Sequence, residues 1–286
     1  SSEATMIPAP VKHSPALGPG PAGPPVWHAN GGHKEARNPV SEPIGGGAAF
    51  AVDPQCLGAP HKHTQYPYVT GTSVLAIKYK DGVMMAADTL GSYGSTKRYK
   101  SVDRIKAVGE NTVIGASGEI SDFQYIMTLL EELMTEDFCL DDGCRLTPEE
   151  IHAYLTRVMY NRRNKFDPLW NSLIVAGVRG GKSFLGMVGM IGTAYTDSHL
   201  ATGFGNHLAR PIFREEQKDD MSEADARALL EKCLKVCYYR DKNSINKFTI
   251  AKVTEGGVEV SEPFALETDW GYDAFINPAI AALGSW

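Results

Sequence analysis

Residues 69–88 read Val69-Thr70-Gly71-Thr72-Ser73-Val74-Leu75-Ala76-Ile77-Lys78-Tyr79-Lys80-Asp81-Gly82-Val83-Met84-Met85-Ala86-Ala87-Asp88. Two β-rich runs, 72–79 and 83–88, flank Asp81-Gly82, a pair suited to a tight hairpin turn. The same signature recurs three times. Runs 104–108 and 112–116 flank the Gly109-Glu110-Asn111 turn, runs 172–178 and 183–188 flank Gly180-Gly181, and runs 248–253 and 258–260 flank Glu255-Gly256-Gly257. Between the second and third hairpins the period changes to that of helices. Ile120, Phe123, Ile126, Leu130, Leu133 and Met134 mark the first helix. Thr147-Pro148-Glu149-Glu150 is a capping box with proline at the first helical position, ahead of Ile151, Tyr154, Leu155, Val158 and Met159. A third long helix over about 222–239 carries Leu229, Leu230, Cys233, Leu234 and Cys237 on its apolar side. Hairpins, two helices, a hairpin, a helix and a closing hairpin predict an antiparallel α+β layered fold without βαβ winding.

The composition bounds what such a fold can do. The chain has 286 residues, 43% hydrophobic and 22% charged, with formal net charge −6. No apolar stretch approaches the roughly 20 residues of a membrane-spanning helix, and an acidic balance gives no general attraction for nucleic acid or anionic lipid. Neither a membrane nor a nucleic acid is therefore expected as a partner. Five cysteines are too few for a disulfide scaffold in a chain of this length. Residues 1–63 hold 11 of the 17 prolines, 9 of the 29 glycines and 5 of the 8 histidines, so this segment is expected to be disordered. Residues 64–286 have the composition of one packed domain.

Several motifs carry little chemistry. Gly203-Phe204-Gly205 lacks the third glycine of a dinucleotide loop and has no βαβ context. Cys233 and Cys237, four apart on a helix without nearby histidines, read as core packing and not as a zinc site. His61-Lys62-His63 reads as part of a solvated tail. Residues 97–106 hold five bases and one acid, and 117–150 hold ten acids and one base, which suits solvated faces or protein contacts.

Gly71-Thr72 is the informative pair. A threonine hydroxyl needs a base to become nucleophilic, and cleavage of the preceding bond can make the threonine's own α-amine that base. Read together with Ala86-Ala87-Asp88, Gly115-Ala116-Ser117-Gly118, Tyr238-Tyr239-Arg240-Asp241 and Ser244, the pattern resembles the proteasome β-subunit family of N-terminal-nucleophile hydrolases over nearly all of residues 64–286. Tyr93-Gly94-Ser95, the run 117–125 and Asn164-Lys165-Phe166-Asp167-Pro168-Leu169-Trp170-Asn171 are most similar to a non-catalytic branch of that family.

The resemblance implies a four-layer αββα sandwich of α+β class. It also implies a place among other β subunits of the same and the facing ring and against α-ring subunits, in cytoplasm and nucleus, with a propeptide at 1–63. Neither a metal nor an organic cofactor is implied. Active members use a threonine, a strand-end aspartate, a lysine sixteen residues later and a supporting Ser, Asp, Ser set. Thr72, Asp88, Asp241 and Ser244 match, whereas the lysine position is Arg104 and the serine between two glycines is Phe204. An arginine stays charged and presents a wide planar fork, and a phenyl ring offers no polar contact. Thr64-Gln65-Tyr66-Pro67 matches the start of the mature chain in the non-catalytic branch, placing cleavage between His63 and Thr64 and leaving eight residues ahead of Thr72. The resemblance thus implies a structural and assembly subunit with vestigial site positions. The alternative is an active threonine endopeptidase using Thr72. A C-terminal inter-subunit tail is expected from about Glu262, where Phe264, Leu266, Trp270, Tyr272, Phe275 and Trp286 follow the last hairpin.

Overall fold

The structure, a computed structural model, describes residues 67–271 together with Ile276. The expected propeptide 1–63, the His63–Thr64 junction, and Tyr272, Phe275 and Trp286 of the tail lie outside the described residues. In chain order the first strands are β1 (Thr70–Gly71), β2 (Val74–Tyr79), β3 (Gly82–Asp88), β4 (Gly91–Tyr93), β5 (Thr96–Tyr99), β6 (Ile105–Val108) and β7 (Thr112–Glu119). Helices α1 (Ile120–Leu140) and α2 (Pro148–Asn164) follow, then strands β8 (Asn171–Arg179), β9 (Lys182–Val188), β10 (Ala194–Thr196) and β11 (His199–Ala201). The short helices α3 (Gly205–Leu208) and α4 (Arg210–Glu216) lead to α5 (Glu223–Arg240), and β12 (Phe248–Thr254) and β13 (Gly257–Val260) close the order.

The strands form two antiparallel sheets. One has the order β10-β9-β8-β7-β1-β4-β5 with β6 also on β7, and the other has the order β11-β2-β3-β12-β13. The four expected hairpins are β2–β3, β6–β7, β8–β9 and β12–β13. Alternation along β2 explains the layering. Leu75, Ile77 and Tyr79 face one core with Leu229, Leu230 and Cys233 of α5, and Val74 and Ala76 face a second core with Val113, Ile174 and Leu185 of the other sheet. A strand buried on both faces has to be apolar at nearly every position, which is why 74–79 reads as an almost unbroken hydrophobic run. The outer face of the larger sheet packs Ile114, Leu173 and Val175 against Phe123, Ile126 and Leu155 of α1 and α2. Three cores between four layers make the αββα sandwich expected from the sequence.

Local chemistry sets the helix boundaries. The Glu119 side chain accepts from Asp122 N–H at 2.7 Å to start α1. The capping box of α2 is complete, with Glu150 N–H donating to Thr147 Oγ1 at 3.1 Å and Thr147 N–H donating to Glu150 Oε2 at 2.7 Å. The hydrogen bonds from Thr147 hold the Glu150 carboxyl below its ordinary value. At its far end α2 terminates with Phe166 in the left-handed region at φ 57°, a conformation that costs a side-chain-bearing residue about 1–2 kcal/mol.

The tail differs from a free arm in its first part. Phe264 pairs with Phe248 through two backbone hydrogen bonds of 2.8 and 2.9 Å, and Asn246 exchanges hydrogen bonds with the Leu266 backbone. Trp270 packs edge-on against Tyr239 with centroids 5.0 Å apart. Phe264, Leu266 and Trp270 therefore each contact their own domain, and Trp270 remains 43% exposed.

Cys233 and Cys237 are buried in the α5 core, and burial pushes both thiols up to about 12. Cys139 and Cys144 are exposed. Thiol labelling of the folded full chain at neutral pH, read peptide by peptide by mass spectrometry, should modify Cys139 and Cys144 rapidly and Cys233 and Cys237 only after unfolding. Equal labelling of all four would contradict the packing described.

Candidate active site

The six candidate site positions converge at one end of the sandwich. Asp88 ends β3, Arg104 immediately precedes β6, Phe204 precedes α3, and Asp241 caps α5 with its N–H on Cys237 O at 2.8 Å. Thr72 lies between β1 and β2, at the point where the chain passes from one sheet to the other. A cavity of about 290 Å³ opens here, lined by Thr72, Ser117, Gly118, Ser172, Phe204 and Asn243.

Arg104 organises the site. Its side chain is fully buried, and Asp88, beside it, is 2% exposed. Nε donates to Asp88 O at 3.0 Å. Nη1 donates to Thr72 O at 2.6 Å and to Ala116 O at 3.2 Å. Nη2 donates to Ser73 O at 2.9 Å and to Asp88 Oδ1 at 2.5 Å. A guanidinium has five N–H donors, and all five are used. Full satisfaction is what makes a buried cation tolerable, since each unmet donor would carry its own desolvation cost. Asp88 Oδ2 accepts from Ile245 N–H at 3.0 Å. Burial pushes the Asp88 carboxyl up from its ordinary value, opposed by the Arg104 charge and the Ile245 hydrogen bond.

Gly71 is required by this packing. A Cβ added to it would sit 2.3 Å from Arg104 Cδ, well inside contact distance. Its strand is also fastened on both sides, with Thr70 opposite Ser92 of β4, and Thr70 and Gly71 opposite Glu119 and Gly118 of β7. Upstream, Val69 O accepts from Ile120 N–H at 2.8 Å.

The Thr72 hydroxyl donates to Asp241 Oδ2, and Asp241 Oδ1 accepts from Asn243 N–H at 2.9 Å. Ser244 Oγ donates to Asp241 O at 2.6 Å. The sequence-predicted positions thus fall into two linked groups, Thr72–Asp241–Ser244 and Asp88–Arg104, joined through the Thr72 carbonyl. Phe204 takes no part in either and stands 57% exposed at the cavity rim. Sequence reasoning missed three contributors. Ser73 Oγ accepts from Gly205 N–H at 2.8 Å, Thr202 Oγ1 accepts from Val74 N–H at 2.8 Å, and Lys97 Nζ donates to Ser244 O at 2.8 Å. Lys97 belongs to the basic run 97–106, which a solvated-face reading treats as uniform. In the fold Arg104 is buried and Lys97 is tied to the site, so the run serves several places.

A family model described as Proteasome subunit matches residues 68–253. The chain is 61% identical over 225 residues to a protein of Arabidopsis thaliana named proteasome subunit beta type-4, covering 79% of this chain and 92% of that protein. It is 49% identical over 213 residues to the Xenopus laevis protein of the same name, covering 74% and 88%. It is also 45% identical over 203 residues to a Saccharomyces cerevisiae protein named proteasome subunit beta type-7, covering 68% and 76%.

Replacing Arg104 by alanine should leave Asp88 buried and unpaired and four carbonyls without a donor. The expected loss is about 3–5 kcal/mol of unfolding free energy. Arg104→Lys has three donors for the same acceptors and should fall between alanine and wild type. Urea unfolding of the full chain reads the order, and a lysine variant as stable as wild type would show that the fork geometry does not matter.

Proposed function

The chain belongs to the proteasome subunit family, and from that premise we propose that it is a β-type subunit that builds the core particle without cleaving peptide bonds itself. The names carried by the A. thaliana and X. laevis relatives, proteasome subunit beta type-4, support the assignment within the family. The observation that carries the non-catalytic reading is the fit of the chain ahead of Thr72, where β1 is paired on both sides and Gly71 packs against Arg104, which favours a Thr72 nitrogen that stays a peptide amide. Its lone pair is delocalised into the peptide group, so it cannot take the hydroxyl proton as a threonine α-amine does. Retention of residues 64–71 is supported by the two-sided pairing of β1 and by the close fit of Gly71 on Arg104. Arg104 adds a second impediment. With every donor occupied by the surrounding carbonyls and Asp88, its planar fork does not replace a compact ammonium beside the threonine oxygen.

In this reading residues 1–63 are a propeptide released between His63 and Thr64. The subunit contacts other β subunits in its own and the facing ring and the α ring, in cytoplasm and nucleus. Family membership supports these partners. Thr72, Asp88, Asp241 and Ser244 then serve as hydrogen-bonding positions that fix the sandwich end, and no metal or organic cofactor takes part.

Thr72→Ala introduced into assembled particles should leave peptide hydrolysis unchanged, because the hydroxyl lacks an activating base. In particles carrying the wild-type chain, a covalent electrophile selective for N-terminal threonines should form no adduct on this subunit. An adduct on Thr72, or loss of a cleavage specificity on mutation, would establish the active endopeptidase instead.

A further inference from the structure

The C-terminus of α2 contains a residue that works against the stability of its own chain. With Lys165 as C-cap, Phe166 N–H donates to Arg163 O at 3.0 Å and Asp167 N–H donates to Arg162 O at 3.0 Å. This is the Schellman pair of hydrogen bonds, and the residue between them must adopt the left-handed conformation. Glycine is the usual occupant because it has no Cβ to collide. Here the occupant is Phe166, at φ 57° and 97% exposed. Its ring gains almost no burial, so backbone strain and hydrated apolar surface both count against the folded chain.

The turn that presents the ring is rigid. Arg162 Nε donates to Asp167 O at 2.9 Å, its Nη2 pairs with the Asp167 carboxylate at 3.1 Å, and its guanidinium lies 5.5 Å from the Tyr125 ring centroid. Pro168 follows, and Trp170 N–H donates to Asp122 Oδ2 at 2.8 Å. A turn whose backbone is already fixed loses little main-chain entropy on docking. The flanks are cationic, since Arg163 and Lys165 are exposed and form no ion pair among the described residues. Trp170, 66% exposed, adds a second large ring on the same connection.

We propose that Phe166 is an assembly anchor that inserts into an apolar pocket rimmed by carboxylates on a neighbouring proteasome subunit. The proposal rests on the reading of the chain as a core-particle subunit and names the chemistry of one of its contacts. Apolar cover answers the ring, and an acidic rim answers Arg163 and Lys165. Aromatic side chains in such pockets dominate interface energetics, while rim charges set orientation and encounter rate.

Phe166→Gly separates the two roles because it relieves the strain and removes the anchor together. The unfolding midpoint of the full chain should rise by roughly 2–4 °C. When tagged wild-type and variant chains are co-expressed with the remaining subunits, the glycine variant's share of assembled particles should fall about tenfold. Phe166→Leu should recover part of that share. Arg163→Glu combined with Lys165→Glu should lower incorporation without lowering the midpoint. A glycine variant that enters particles as well as wild type, or one with a lowered midpoint, would overturn the anchor. Absence of the wild-type chain itself from core particles would overturn the subunit reading, and the anchor with it.

Discussion

The guanidinium of Arg104 donates to the backbone at Thr72, Ser73, Asp88 and Ala116 and to the Asp88 carboxylate. These acceptors belong to both sheets: Asp88 ends β3, Ala116 is in β7, and residues 72–73 connect β1 to β2. One fully satisfied cation therefore fastens the two halves of the sandwich where the chain passes between them. Asp88, paired with it, extends the fastening to the loop after α5 through Ile245. That loop in turn carries Asp241, Asn243 and Ser244, so the whole end of the molecule is one hydrogen-bonded unit.

The same arrangement separates structure from chemistry. The catalytic pattern of the family needs a compact cation beside the threonine oxygen and a free amine on that threonine. Arg104 donates to the Thr72 carbonyl, and its hydrocarbon stem packs against Gly71. The strand Gly71 belongs to lies between β4 and β7. The hydroxyl of Thr72 donates to Asp241.

Much of this was legible in the sequence, for identifiable reasons. The four hairpins announced themselves through Asp81-Gly82, Gly180-Gly181 and two further glycine turns between β-rich runs, and α2 through its complete capping box. Arg104 and Phe204 stood out by their spacing from Asp88 and between two glycines. The five-donor network did not, because its acceptors are mostly backbone carbonyls, which leave no mark on residue identity. β1 escaped notice because two residues carry no periodicity, and β4, β5, β10 and β11, of three or four residues each, are too short to show a period. The aromatic residues of the tail are evident in sequence, whereas the contacts of Phe264 with Phe248 and of Trp270 with Tyr239 become visible only in the fold.

Residues immediately before Thr72 that stay attached and hold a strand position would keep its nitrogen a peptide amide. Mapping the amino terminus of this subunit in assembled core particles by mass spectrometry tests it most directly. The account predicts peptides in which the Gly71–Thr72 bond is intact and a first residue upstream of β1. A subunit whose chain begins at Thr72 would contradict it.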